Sequence, residues 1–306
     1  MLCLYHRAMP SSSRALQVVN LFLARSNFPG KWRIENFLVA LVRVKPDYYL
    51  HPFGFWWRIE DNSTKRTFLA NCENSTSLLF RKICGTQEVI FVDVGSNLGW
   101  YSLLATSLNS KSQVFAFEPM DSVREKLQQN LERNGYLNTH VYSYALGAIP
   151  HTSQIWSYSG NNGMHTLHPV EEWGARPGQE VKIVNLDSIR EIFCKPHLPI
   201  LVKLDVEGSE MDVLKGGISL LKVDNVQIII EVNETMLQAG GSSADELFAF
   251  LSSFGFFGYW ISPSMALVAQ SSESPLPHRG KLPNFEGANY IFTKNVEAIA
   301  QIFKIT

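Results

Sequence analysis

The chain has 306 residues, 45% hydrophobic and 18% charged, enough apolar material for one large domain or one domain with a smaller attachment. Its 27 basic and 28 acidic residues leave a formal net charge of −1, without the electrostatic footprint of a general nucleic-acid binder. Cys3, Cys72, Cys84 and Cys194 are widely spaced and form no C-x-x-C pair, which excludes a zinc signature and a disulfide framework and reads as free thiols in a reducing compartment.

At the N-terminus, His6, Arg7 and Pro10 interrupt the apolar start before any signal-peptide core can form. The apolar run 15–24 contains Gln17 and Asn20 and stops at Arg25, short of the roughly 20 residues that span a bilayer. No membrane span and a cytoplasmic location are therefore expected. Helical spacing follows over 11–45, with Leu16, Val19, Phe22 and Leu23 on one face and Ile34, Leu38, Leu41 and Val42 on another. The aromatic segments 48–59 and 67–69, broken by Pro52, Gly54 and the polar Asp61-Asn62-Ser63 group, predict strands joined by a turn. Residues 1–85 thus read as an accessory region of helices and aromatic strands, packed on a main domain of residues 86–306.

From residue 89 the rhythm changes. Apolar runs at 89–92, 114–117, 141–146, 200–204 and 226–230 alternate with helical stretches at 100–108, 122–134 and 243–254, and 259–261 and 289–293 end the series. Buried apolar strands alternating with helices predict a Rossmann-like, doubly wound, mostly parallel α/β sheet. The insertion 151–179, which holds Trp156, Tyr158, His165, His168 and Trp173, breaks the alternation. It reads either as a loop contacting substrate or as a structural hairpin.

Two motifs carry the chemistry. In the first, a strand ends in Asp93 and the turn Val94-Gly95-Ser96-Asn97-Leu98-Gly99 opens a helix at Trp100-Tyr101-Ser102. Gly95 allows the tight turn, and Gly99 is expected to remove a side chain that would block a ligand across the helix start. The G-x-x-x-G spacing is not the G-x-G-x-x-G of dinucleotide binders, which disfavours a nicotinamide-dependent oxidoreductase and leaves a nucleoside ligand open. The next strand ends in Glu118-Pro119, where a carboxylate can accept both hydrogens of a ribose diol. Asn134-Gly135 and Tyr144-Ala145-Leu146-Gly147 are expected to border an adenine ring, with a plain helix C-cap as the alternative for Asn134-Gly135.

In the second motif, Leu201-Val202-Lys203-Leu204-Asp205-Val206-Glu207-Gly208-Ser209-Glu210, an apolar strand tolerates two charges on one face, which buried charge does not do without a reason. Asp205 is the first candidate base, with Lys203 and the loop residues His165 and His168 behind it. Glu207 and Glu210 read as helix-start acids at least as well as catalytic ones. Glu231 and Asn233 end the neighbouring strand. With Asp205 they form either a hard divalent-cation site or a metal-free polar cluster, the second being preferred.

Asp93 to Tyr101, Glu118-Pro119, Leu146-Gly147, the run 202–216 and Glu231 occur in the order of the FkbM-type methyltransferase family, which the chain resembles over roughly residues 89–261. The resemblance implies a class I methyltransferase fold that binds S-adenosylmethionine and usually methylates a hydroxyl oxygen of a sugar, glycan or natural product. By that likeness Asp93, Gly95, Asn97 and Gly99 line the methionine end and Glu118 the ribose. Ser96, Tyr101, Ser102, Pro119, Asn134, Ala145 and Leu146 complete the expected donor set. A non-catalytic donor-binding protein is the rival reading, and a nucleic-acid methyltransferase is disfavoured by the near-neutral charge. Oligomeric state is not specified.

Overall fold

The structure is a computed structural model that describes residues 45–51, 53–70, 75–136, 138–158, 161–190, 197–262, 267–270 and 287–302. The helical stretch expected over 11–45 lies outside the described residues up to residue 44, as do Cys3, Cys72 and Cys194, whereas Cys84 is a buried free thiol. The hairpin β1 (Asp47–Leu50) and β2 (Trp56–Ile59) is followed by α1 (Asn62–Ala70) and α2 (Ser75–Cys84). Then β3 (Ile90–Val94), α3 (Trp100–Leu108), β4 (Gln113–Phe117), α4 (Asp121–Asn134) and β5 (Thr139–Tyr142) alternate as the periodicity predicts. Two features bound α4. Asp121 and Arg133 suit the two ends of its dipole, and Gly135 closes it in the left-handed conformation at φ 68°.

The chain then leaves the alternation for β6 (Ala145–Leu146), β7 (His151–Tyr158), β8 (Asn161–Thr166) and β9 (Ala175–Val184). It returns with β10 (Ile200–Leu204), α5 (Glu210–Lys215), α6 (Ile218–Leu221), β11 (Val226–Val232), α7 (Glu234–Ala239), α8 (Ala244–Ser253) and β12 (Phe257–Ile261). The last described elements are β13 (Leu267–Gln270), β14 (Ala288–Thr293) and α9 (Val296–Ile302).

The main sheet has eight strands in the order β13-β12-β14-β11-β10-β3-β4-β5. β11, β10, β3, β4 and β5 pair in parallel, and β14 runs antiparallel between β11 and β12. Consecutive strands lead outward from β3 through β4 to β5, and the chain then crosses back to β10 on the other side of β3. That reversal leaves a crevice at the carboxyl ends of β3 and β10, where open α/β sheets bind ligands. β3 and β10 are buried along their whole length, which is why they read as unbroken apolar runs.

Two expectations fail. The segment 67–69, expected as a strand, lies inside the helix α1, because the polar Asp61-Asn62-Ser63 group opens a helix, with Asp61 Oδ1 accepting the Thr64 amide at 2.8 Å, instead of making a turn between strands. The apolar run 141–146 is not one strand: β5 ends at Tyr142 on the edge of the main sheet, and β6 belongs to a second sheet of order β6-β9-β7-β8. Two short apolar pieces in succession carry no periodicity that marks the bend between them. The insertion is therefore a hairpin sheet, with β7 antiparallel to both β8 and β9.

The two faces of the main sheet pack differently. Phe91, Leu201 and Ile229 belong to a core shared with Leu103 and Leu104 of α3 and with Phe55, Trp57, Phe68, Leu79 and Phe80 of the preceding region. Register pairs Lys203 with Asp93, so both project from this same face. Val92, Val202 and Ile228 pack on the other face against α5, α6 and α8.

Candidate active site

The turn after β3 is built by backbone bonds: the amides of Gly95 and Ser96 both donate to the carbonyl of Phe117, each at 3.1 Å. Gly95 takes φ 77°, and a Cβ there would lie 1.9 Å from the carbonyl oxygen of Asp205. The turn is thereby pressed against the end of β10. Glu118, 4% exposed at the end of β4, accepts from the amide of Asn97 through Oε2 and from that of Met120 through Oε1, both at 2.9 Å. Burial pushes its pKa up to about 7, while those amides and the Arg124 guanidinium oppose the shift. Asp93, also buried, accepts the Ser102 hydroxyl at 2.6 Å. Burial raises its pKa to about 6 against the pull of Ser102 and Lys203.

On β10, Lys203 is 1% exposed, with Nζ 3.0 Å from Oδ2 of Asp205 and 5.4 Å from the centre of the Tyr101 ring. Burial alone lowers an ammonium pKa, but the negative charges of Asp205 and Glu231 and the hydrogen bond to Asp205 outweigh it, so Lys203 is held protonated. Beyond Asp205 the chain passes through Glu207 at φ 50°, a left-handed conformation that costs an ordinary side chain about 1–3 kcal/mol. Its carbonyl accepts the Thr166 hydroxyl of β8 at 2.6 Å. Glu210 turns back to accept the amides of Val206 at 3.2 Å and Gly208 at 3.1 Å.

Two adjoining cavities open here. The smaller, about 210 Å³, is lined by Phe117, Glu118, Pro119, Ala145, Leu146 and Ile155, together with Asp205, Glu207, Ser209 and Glu231. The larger, about 540 Å³, lies between Asp93, Ser96, Tyr101 and Lys203 on one side and Trp57, Ser63, Thr64 and Thr67 of β2 and α1 on the other. Gly95, Asn97, His165 and Asp205 border both cavities. The hydroxyls of Ser96 and Ser209, 5% and 2% exposed, line this crevice without a hydrogen-bond partner.

Most of the expected donor set comes together here: Asp93, Gly95, Ser96, Asn97, Tyr101, Glu118, Pro119, Ala145 and Leu146 all line one cavity or the other. Three members do not. Gly99, at φ 88°, lines neither, because its missing Cβ makes room for Leu127 Cδ1, which would be 2.1 Å away. The reason for the glycine is helix packing. Ser102 is fully buried and acts on Asp93. Asn134 binds the amide and carbonyl of Trp56 at 2.7 and 2.9 Å, so it fastens the β1–β2 hairpin to α4 and lines neither cavity.

The proposed oxygen cluster of Asp205, Glu231 and Asn233 is also incomplete, since Asn233 Oδ1 caps α7 by accepting from Thr235 and Met236. Among the described residues no group of three or more His, Cys, Asp or Glu is arranged to hold a metal ion. His165 reaches the crevice with Nδ1 3.0 Å from Ser157 Oγ, whereas His168 lines neither cavity and lies 3.9 Å from Asp212. The sequence understated Glu207. Its place in the cavity rests on the left-handed turn, and the one available signal was the density of carboxylates after Asp205.

A family model described as Methyltransferase FkbM domain matches residues 93–257, more than half of the chain. The chain is 28% identical over 149 residues to "Methyltransferase 1" of Beauveria bassiana, covering 42% of this chain and 58% of that protein. It is 28% identical over 177 residues to "Hexuronic acid methyltransferase AglP" of Haloferax volcanii, covering 58% of this chain and 66% of that one. The chain thus spans less than two thirds of the length of these relatives. Among solved structures, the methyltransferase FkbM from Methylobacillus flagellatus KT aligns at a TM-score of 0.42 with 15% identity, over 76% of this chain and 55% of that chain. No helix among the described residues is long and apolar enough to cross a membrane.

Proposed function

Since the chain belongs to the FkbM methyltransferase family, we propose that it transfers a methyl group from S-adenosylmethionine to a hydroxyl oxygen of a small-molecule or glycan acceptor. The observation that carries this reading is Glu118. It is a buried carboxylate at the end of β4, oriented by two backbone amides and bordering a cavity walled by Phe117, Pro119 and Leu146. A ribose diol donates to such a carboxylate, and an adenine ring suits such walls.

When bound, the donor supplies an electrophilic methyl on a positively charged sulfur. The chain's own residues do the rest. Gly95 and Asn97 shape the passage between the two cavities, and the larger cavity is assigned to the acceptor. Asp205 and His165 are the titratable side chains that border both, so either is placed to take the acceptor's proton as its oxygen bonds to carbon. Lys203, held protonated against Asp205 Oδ2 at 3.0 Å, fixes the orientation of that carboxylate. Asp205 is assigned the base role.

The test is Asp205→Asn. S-adenosylhomocysteine should bind within a few-fold of wild type by calorimetry, while methyl release over a panel of hydroxylated metabolites and glycans drops about 10²–10⁴-fold. Unchanged turnover removes Asp205 as the base and turns attention to His165. Absence of binding by the wild-type protein removes the donor assignment.

A further inference from the structure

The smaller cavity has an unusual charge inventory. Glu118, Asp205, Glu207 and Glu231 line it together with His165, and no lysine or arginine does. Both oxygens of Glu118 already accept amides, and Lys203 balances Asp205 from the side of the larger cavity. Glu207 and Glu231 are left without a cation of their own lining this cavity. The groups facing them are Asp205, Glu210 and Lys203, and the first two repel negative charge. Burial and the charges of Asp205, Glu231 and Glu210 push the Glu207 carboxyl above its ordinary range. The charge of Asp205, followed by burial, does the same to Glu231.

The chain holds this arrangement by force. Glu207 sits in a strained left-handed conformation, its carbonyl fixed by Thr166 and the flanking amides by Glu210. A structural acid does not need to be built into a cavity of like charges. Independently, the Ser209 hydroxyl, 2% exposed and without a partner, borders the same cavity as an unused ligand contact.

We propose that Glu207 and Glu231 read the charge of the donor, holding the affinity for the sulfonium form above that for its demethylated thioether. The inference rests on the donor assignment above. Methyl transfer breaks the carbon–sulfur bond, its electron pair stays on sulfur, and a carbon–oxygen bond forms as the acceptor proton passes to the base. The cavity's ligand thereby loses one positive charge, and the carboxylates that held it favour exchange of product for fresh donor. In the empty site they retain protons, which a cation displaces.

The experiment is calorimetry of S-adenosylmethionine and S-adenosylhomocysteine with wild-type protein, Glu207→Gln and Glu231→Gln, in buffers of differing ionisation enthalpy. Each variant should lose about tenfold in affinity for S-adenosylmethionine and less than twofold for S-adenosylhomocysteine. Wild-type protein should release more protons on binding the sulfonium than on binding the thioether, and both variants should reduce that difference. Equal losses for the two compounds, or none, overturn the proposal while leaving the donor site intact. Wild-type protein that binds neither compound overturns the donor assignment itself. Unfolding temperatures close to wild type separate charge effects from misfolding, because Gln keeps nearly the shape of the neutral acid that each position holds in the empty site.

Discussion

Gly99→Ala tests the claim that this glycine serves packing and not ligand access. The new Cβ would lie 2.1 Å from Leu127 Cδ1, a fully buried side chain of α4, and the residue would keep φ 88°. Left-handed backbone costs an alanine about 1–2 kcal/mol. Overpacking a filled core costs a further ~1–3 kcal/mol, so the variant should lose about 2–5 kcal/mol in urea unfolding. Leu127→Ala removes the colliding methyls and by itself costs about 2–5 kcal/mol through the cavity it leaves. In that background the glycine substitution should cost only the backbone term, which gives a coupling of about 1–3 kcal/mol across the double-mutant cycle. Material that remains folded should bind S-adenosylhomocysteine as wild type does. Full stability of Gly99→Ala combined with a large loss of binding would refute the reasoning and return Gly99 to the ligand site.

Two further outcomes follow from groups outside the crevice. Asn134→Ala should destabilise the fold by about 1–3 kcal/mol, because it strands the Trp56 amide and carbonyl. Affinity for S-adenosylhomocysteine should not change, which thermal shift with and without ligand will check. His51, 1% exposed among Phe53, Phe55, Phe68 and Trp100, has its pKa lowered to about 3, by burial first and by Arg81, against a backbone bond at Phe68. The unfolded chain therefore binds a proton below about pH 6.5 that the folded chain refuses, and stability falls by about 1.4 kcal/mol per pH unit from there toward pH 3. By pH 5 the loss reaches about 2 kcal/mol. Asp93, Glu118 and Glu210, whose pKa values are raised, act in the opposite sense over pH 4–7. The contribution of His51 is therefore read as the difference in slope between wild type and His51→Phe, and equal slopes would exclude it.

The sequence by itself determined whatever depends on neighbours along the chain. Alternating apolar runs and amphipathic stretches set the doubly wound sheet, because a strand buried on both faces must be apolar throughout. The turn at Gly95 and the carboxylate of Glu118 were legible because each stands at a strand end, where that sheet type exposes its ligand edge. Asp205 and Lys203 announced themselves as charges inside an apolar run. Tertiary structure decided the rest. That Gly99 faces Leu127, that Asn134 holds Trp56 and that Asn233 caps α7 are contacts no spacing reveals. The run 141–146 bends between two sheets because the pairing partner of Ala145 and Leu146 is β9, nearly forty residues onward. Above all, the fold brought Glu118, Asp205, Glu207 and Glu231 around one cavity from three separate strand ends. Coulomb energy depends on distance and on the exclusion of water, and folding alone fixes both.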